Sequence, residues 1–196
     1  KRLVIDIGGG STECIIGQSI DPLLMESLYM GCVSYSQRFF PGGLVTKKNF
    51  AQAEISAARE IEKIARDFKK LGWDEVVASS GTAKALADLF ESNKMNPENS
   101  YGISREAMVK LRDKLVASGS ADKLKLHNLP EDRLPVFAGG IAIMSAVFDS
   151  FNIEKISYGE GALRLGVLYD LLGRFHRHDM RDITVQQFVT RYQIDQ

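Results

Sequence analysis

The stretch Val4-Ile5-Asp6-Ile7-Gly8-Gly9-Gly10-Ser11-Thr12-Glu13, continued by Cys14-Ile15-Ile16-Gly17, constrains the fold more than any other part of the chain. A short apolar strand ends on an aspartate, three glycines and two hydroxyls make a turn, and a glutamate opens a second apolar strand. Successive glycines destabilise an ordinary element by roughly 0.5–1 kcal/mol each relative to Ala, and a two-residue hairpin loop does not need three of them. Glycine lets backbone N–H groups converge on one point and lets a ligand come close to the chain. Gly8, Gly9, Gly10, Ser11 and Thr12 are therefore candidates to hold phosphate oxygens, with a purely structural turn as the alternative. Asp6 and Glu13, one on each arm of the hairpin, are candidates to hold a divalent cation beside them.

Downstream periodicity extends the architecture. Strands are expected at 2–7, 12–18 and 22–30, then a short helix over 32–40 ended by Pro41-Gly42-Gly43. Ile55, Ala58, Ile61, Ala65, Phe68 and Leu71 recur at helical spacing and predict a helix over 47–71, capped by Thr46 and ended by Gly72. Its charged face, with Arg59, Glu62, Lys63, Arg66 and Lys69, reads as solvated. Glu75-Val76-Val77-Ala78 reads as a buried strand feeding a helix over 82–92. Residues 93–103 and 118–130 read as connections. Helices are expected at 104–117, 131–151 and 161–172, and a strand at 155–158. Three antiparallel strands followed by α-β-α-α-β-α make one α/β unit with a mixed sheet. From Gly173 the chain turns polar and a new helix is expected from Thr184 to Tyr192. The expected division is a phosphate-binding domain over 1–173, and over 174–196 a linker with the first helix of a further region.

Composition excludes some partners. The 25 basic and 25 acidic side chains cancel, which argues against a nucleic-acid binder that draws its affinity from a basic excess. A local basic patch still suffices for a small polyanion. Cys14 and Cys32 read as buried free thiols of a reducing compartment. The longest apolar run, Ile141 to Phe148, is too short to span a bilayer, and no signal peptide is visible. The chain opens without Met almost inside a strand, so it reads as a piece of a longer protein.

Other turns repeat the anion theme. Ser80, Gly81 and Thr82 open a helix after a strand, with Lys84 in its first turn; free N–H groups at such a terminus suit an anion, and a plain N-cap is the alternative. Gly139-Gly140 interrupts a helical pattern at about 1 kcal/mol per glycine, which points to close approach by a ligand or by another helix. Arg164 follows the strand ending at Tyr158; its planar fork suits phosphate, and a salt bridge is the alternative. His176, His178 and Asp179 read as a solvated linker, and His127 carries no signal.

Asp6 to Glu13 resembles the second phosphate loop of the exopolyphosphatase and guanosine pentaphosphate phosphohydrolase family, within the actin, Hsp70 and sugar-kinase superfamily. Met30-Gly31-Cys32-Val33-Ser34, Phe40-Pro41-Gly42-Gly43, Ala78-Ser79-Ser80-Gly81-Thr82-Ala83-Lys84-Ala85, Val136 to Ile143 and Gly159 to Tyr169 are similar to the exopolyphosphatase branch, in family order over essentially the whole chain. The resemblance implies a ribonuclease H-like (actin-like ATPase) domain, the second half of a two-domain phosphatase core. It implies Mg²⁺-dependent hydrolysis of terminal phosphate from inorganic polyphosphate, with a phosphorylated guanine nucleotide as the alternative substrate. A non-catalytic nucleotide-binding module is the alternative of another class, and the Glu13 pattern favours the phosphohydrolases.

The resemblance also places Gly139 and Gly140 where superfamily members hold a base or ribose, although many relatives have Pro-Gly there. Family members usually carry Glu after the arginine, whereas Leu165 stands here. The family's general-base glutamate lies in an upstream stretch that this chain lacks, so no catalytic base is assigned and the piece alone is expected to be inactive. The full-length parent is expected to be a cytoplasmic homodimer without an integral membrane segment, with peripheral membrane association left open.

Overall fold

The computed structural model describes residues 1–19, 21–98, 100–161, 165–168 and 189. The chain divides into Lys1–Glu160 and Gly161–Gln196, earlier than the boundary near Gly173 read from composition. The first unit holds every element named below. Arg164, His176, His178, Asp179 and nearly all of the helix expected from Thr184 to Tyr192 lie outside the described residues.

Strands β1 (Arg2–Ile7), β2 (Thr12–Gln18) and β3 (Asp21–Leu28) form the expected antiparallel run. Helix α1 (Cys32–Phe39) and the long α2 (Lys47–Leu71) follow. Strand β4 (Glu75–Ser79) leads straight into α3 (Ser80–Ser92). A two-residue strand β5 (Ile103–Ser104), α4 (Arg105–Ser118), α5 (Leu134–Phe151) and β6 (Lys155–Tyr158) complete the unit. The sheet runs β3-β2-β1-β4-β6-β5. β1, β4 and β6 are parallel to one another, so the turns that follow them emerge at one edge of the sheet.

Alternation decides which face is buried. Leu3, Ile5, Ile7, Cys14 and Ile16 are buried in the same core as Phe50, Ala57, Ile61 and Phe68 of α2 and Ile141 and Phe148 of α5. Each such large side chain contributes about 1.5–3 kcal/mol. Thr46 caps α2 by accepting from the Asn49 N–H, and Gly72 ends it at φ 69°. The buried stripe of α2 is rotated from the one expected: Phe50, Ala53, Ala57, Ile61, Ile64 and Phe68 face the core, whereas Ile55 is exposed. α5 with its preceding turn is long and apolar enough to cross a membrane by composition, but its residues line the core from Phe137 to Phe148. Cys14 and Cys32 are buried free thiols, and burial pushes the Cys14 thiol up to about 12.

Candidate functional site

The glycine turn after β1 is closed by the Gly8 N–H, which donates to the Ser11 carbonyl at 2.9 Å. Gly8, Gly9 and Gly10 are absent from the left-handed region, which Gly42, Gly43, Gly72, Gly102 and Gly119 occupy. Backbone freedom is therefore not why the turn is glycine. One close approach is visible: a Cβ on Gly31 would fall 2.3 Å from the Gly9 carbonyl oxygen. Gly31 sits there because α1 docks its amino end on the turn. Cys32 N–H donates to the Gly8 carbonyl at 2.9 Å, and those of Val33 and Ser34 donate to Gly9 at 3.0 and 3.2 Å. The carbonyls of the turn thus satisfy donors that a helix start leaves orphaned.

The N–H groups face a different fate. Among the described residues, those of Gly9 and Gly10 donate to no acceptor, and both residues are exposed. A Cβ on Gly10 would meet nothing within 4 Å, and one on Gly9 only the Val33 side chain, at 3.4 Å. Nothing in the fold itself demands glycine at these two positions.

Beside the turn, register assembles a polar row. Asp6 lies directly opposite Glu13 on β2 and Ser79 on β4, and Glu13 lies opposite Ser27 on β3. Direct partners share a face, with Cβ atoms about 5 Å apart in an antiparallel pair. The Ser79 hydroxyl donates to Asp6 Oδ2 at 2.7 Å. Ser11 and Ser27 donate to Glu13 Oε1 at 2.6 and 2.9 Å. Two carboxylates held opposite each other repel, and oxygen-only donors of this kind fit a hard divalent cation such as Mg²⁺. The residues present therefore fit that ion. Ser27 and Ser79 escape a reading of the linear sequence, because only strand register brings them beside the carboxylates.

The amino end of α3 emerges at the same edge. Ser80 holds φ 92°, rare for a residue with a Cβ. The N–H groups of Gly81 and Thr82 have no acceptor among the described residues. Arg133, in the turn before α5, packs its guanidinium on Gly81 so closely that a Cβ there would lie 2.4 Å from it. This places a cation at the start of α3, and no motif in the sequence signals it. Lys84 is directed elsewhere. Its ammonium pairs with Asp88 at 3.2 Å and stands 5.8 Å from the Tyr158 ring. The hydrogen bond to Asp88 holds it above the usual lysine range.

Three expected contacts change character. Gly139 and Gly140 are buried, and Cβ atoms there would strike the Cys32 carbonyl at 2.5 Å and the Thr82 methyl at 2.8 Å. The helix-packing alternative describes this pair. The Thr12 hydroxyl is fully buried and donates to the Met30 carbonyl at 2.6 Å, so it ties β2 to the start of α1. Lys84 lacks any partner from the glycine turn.

The Ppx/GppA phosphatase family profile matches residues 1–175. A relative from Haemophilus influenzae described as a putative exopolyphosphatase is 42% identical over 94% of this chain and 56% of its own length. A guanosine-5'-triphosphate,3'-diphosphate pyrophosphatase from Aeromonas hydrophila is 39% identical over all of this chain and 38% of its own. This chain thus spans about half or less of these relatives. In structure it resembles an exopolyphosphatase from Cytophaga hutchinsonii, with TM-score 0.73 and 22% identity over 89% of this chain and 58% of the other. It also resembles a PPX-GPPA enzyme of Aquifex aeolicus, with TM-score 0.71 and 23% identity over 85% and 56% of the two chains. These likenesses establish the actin-like, ribonuclease H-like fold.

Proposed function

We propose, for a chain that belongs to the Ppx/GppA phosphatase family, that the parent protein hydrolyses terminal phosphate from inorganic polyphosphate. In this reading the chain supplies the phosphate-holding and cation-holding half of the site. The observation that carries it is the pair of exposed, acceptor-free N–H groups at Gly9 and Gly10 beside the Asp6–Glu13 row. Backbone N–H groups at such a turn bind phosphate oxygens, and the amino end of α3 with Arg133 adds donors and positive charge at the same sheet edge. Asp6 and Glu13 would hold Mg²⁺, which would supply positive charge against the negative charge that develops on the phosphoryl group. In this reading the general base is a glutamate outside this chain.

A second reading has its own support: the Aeromonas relative, matched over the whole chain, is described as a guanosine-5'-triphosphate,3'-diphosphate pyrophosphatase. Phosphate release by the full-length protein decides between them. Faster turnover of polyphosphate than of guanosine pentaphosphate supports the first reading, the reverse order supports the second, and no release from either substrate overturns both. The isolated 196-residue chain is expected to release none, since it spans 56% and 38% of the two relatives it matches.

A further inference from the structure

Resting on the reading of Asp6 and Glu13 as cation ligands, we infer that Ser79 and Ser27 are positioning residues that hold these two carboxylates in the orientation a divalent cation requires. The register places Ser27, Glu13, Asp6 and Ser79 side by side across four strands, on one face and at one end of the sheet. Each carboxylate is gripped at one oxygen only. Ser79 donates to Asp6 Oδ2 at 2.7 Å, and Ser27, helped by Ser11, donates to Glu13 Oε1 at 2.9 Å. Asp6 Oδ1 and Glu13 Oε2 receive no hydrogen bond from the described residues and are free to coordinate.

Ser79 shows this preference most clearly. It is the residue before α3, where a serine hydroxyl ordinarily accepts from the helix's own N–H groups. It makes no such bond. Buried to 6% exposure, the hydroxyl reaches sideways across the sheet to Asp6 instead. Ser80 Oγ, not Ser79, meets a helix donor there, the Ala83 N–H at 3.5 Å, and the Ser79 hydroxyl is left to fix the rotamer of the carboxylate. Ser27 does for Glu13 from the exposed edge strand what Ser79 does for Asp6 from within the sheet.

Partners that orient metal ligands typically contribute 10–100-fold in metal affinity. The test is Mn²⁺ binding to the full-length protein without substrate, read by electron paramagnetic resonance. Asp6→Asn is expected to abolish binding, and Ser79→Ala and Ser27→Ala each to weaken it about 10–100-fold. Ser79→Thr, which keeps the hydroxyl, is expected to restore it. Ser27 is exposed, so Ser27→Ala does not disturb the core, and combined with Ser11→Ala, which removes the other donor to Glu13 Oε1, it decides the matter if Ser79→Ala fails to fold. Wild-type affinity in both alanine variants, with binding lost in Asp6→Asn, overturns the positioning role and leaves the cation reading standing. Unchanged binding in Asp6→Asn overturns the cation reading and this inference together.

Discussion

Two sets of glycines carry the same signal in the sequence and opposite meanings in the structure. Gly9 and Gly10 stand at an open edge, where an added Cβ meets at most the Val33 side chain at ordinary contact distance. Gly139 and Gly140 lie inside α5, where an added Cβ runs into the Cys32 carbonyl and the Thr82 methyl. Glycine is entropically costly to order in either place. The second set is explained by the tight packing of α5 against α1 and α3. The first has no such explanation inside the fold, and that is what makes a ligand the reading for it. The direction in which a missing side chain would have pointed, and what fills that direction, separates a packing glycine from a binding one.

The largest effect expected is on the packed side. Gly139→Ala forces a Cβ to within 2.5 Å of the Cys32 carbonyl and 2.7 Å of the Ser36 backbone nitrogen, neither of which can retreat without shifting α1. Overpacking of this kind destabilises by about 1–3 kcal/mol, a fall in Tm of roughly 2–12 °C for a chain of this size. Thermal denaturation should show it, and activity of the folded full-length protein should be unchanged. A normal Tm with lost activity would return Gly139 to the site.

The open side should behave in reverse. Gly10→Val meets empty space within the protein, so Tm should move by less than about 0.5 kcal/mol equivalent. In the full-length enzyme the branched side chain should crowd the exposed N–H groups and weaken substrate binding at least tenfold, about 1.4 kcal/mol. Steric crowding is the whole of this effect, because Gly10 does not occupy the left-handed region. Wild-type KM in Gly10→Val would reduce the turn to structure.

These contrasts explain what was legible before the structure. The bounds of β1, β2 and α2 follow from alternation, the glycine tip, the Thr46 cap and Gly72, all of which are local signals. The apolar stripe of α2 was only half legible. Ile55 lies thirteen residues before Phe68, which at about 3.6 residues per turn puts it on the opposite side of the helix, so it faces solvent while Ala53 and Ala57 face the core. β5 was missed because two residues are too few for a period. Its pairing is secured by Asn96, which accepts from Ser104 and donates to Gly102, a contact no periodicity carries. Asp6, Glu13 and the glycines were visible because they sit within one hairpin. Ser27, Ser79 and Arg133 were not, because they meet that site only through strand register and the packing of α5 against α3.

The packed and open faces also diverge along β2, where Glu13 points to the polar row and its neighbour Cys14 into the core. The Cys14 thiol is held up to about 12 by burial, with Glu13 and Glu26 adding to the effect, against an ordinary value of 9.0. Its folded form keeps the proton that the unfolded chain releases above 9.0, so this group lowers stability as pH rises between 9.0 and about 12. The loss has a limiting slope of about 1.4 kcal/mol per pH unit. Urea titrations at pH 8 and pH 10 should show a smaller alkaline loss in Cys14→Ala than in the wild type. An equal loss in both would mean that other groups account for it.

The smallest effect separates two cations near the start of α3. Lys84 is exposed, paired with Asp88 one turn along its own helix and turned toward Tyr158. An exposed, solvent-screened pair of this kind contributes little. Lys84→Ala should therefore leave KM for polyphosphate unchanged and lower Tm marginally. Arg133 differs in that its guanidinium lies against Gly81 and its nearest acidic partner, Asp132, is 3.6 Å away, too far for a firm hydrogen bond. Arg133→Ala should raise KM several-fold in the full-length enzyme while kcat changes less, since it removes charge at the anion-facing helix start and not a group that reacts. If Lys84→Ala raises KM and Arg133→Ala does not, the substrate lies on the β6 side of α3, and the open edge at Gly9 and Gly10 is not where phosphate is held.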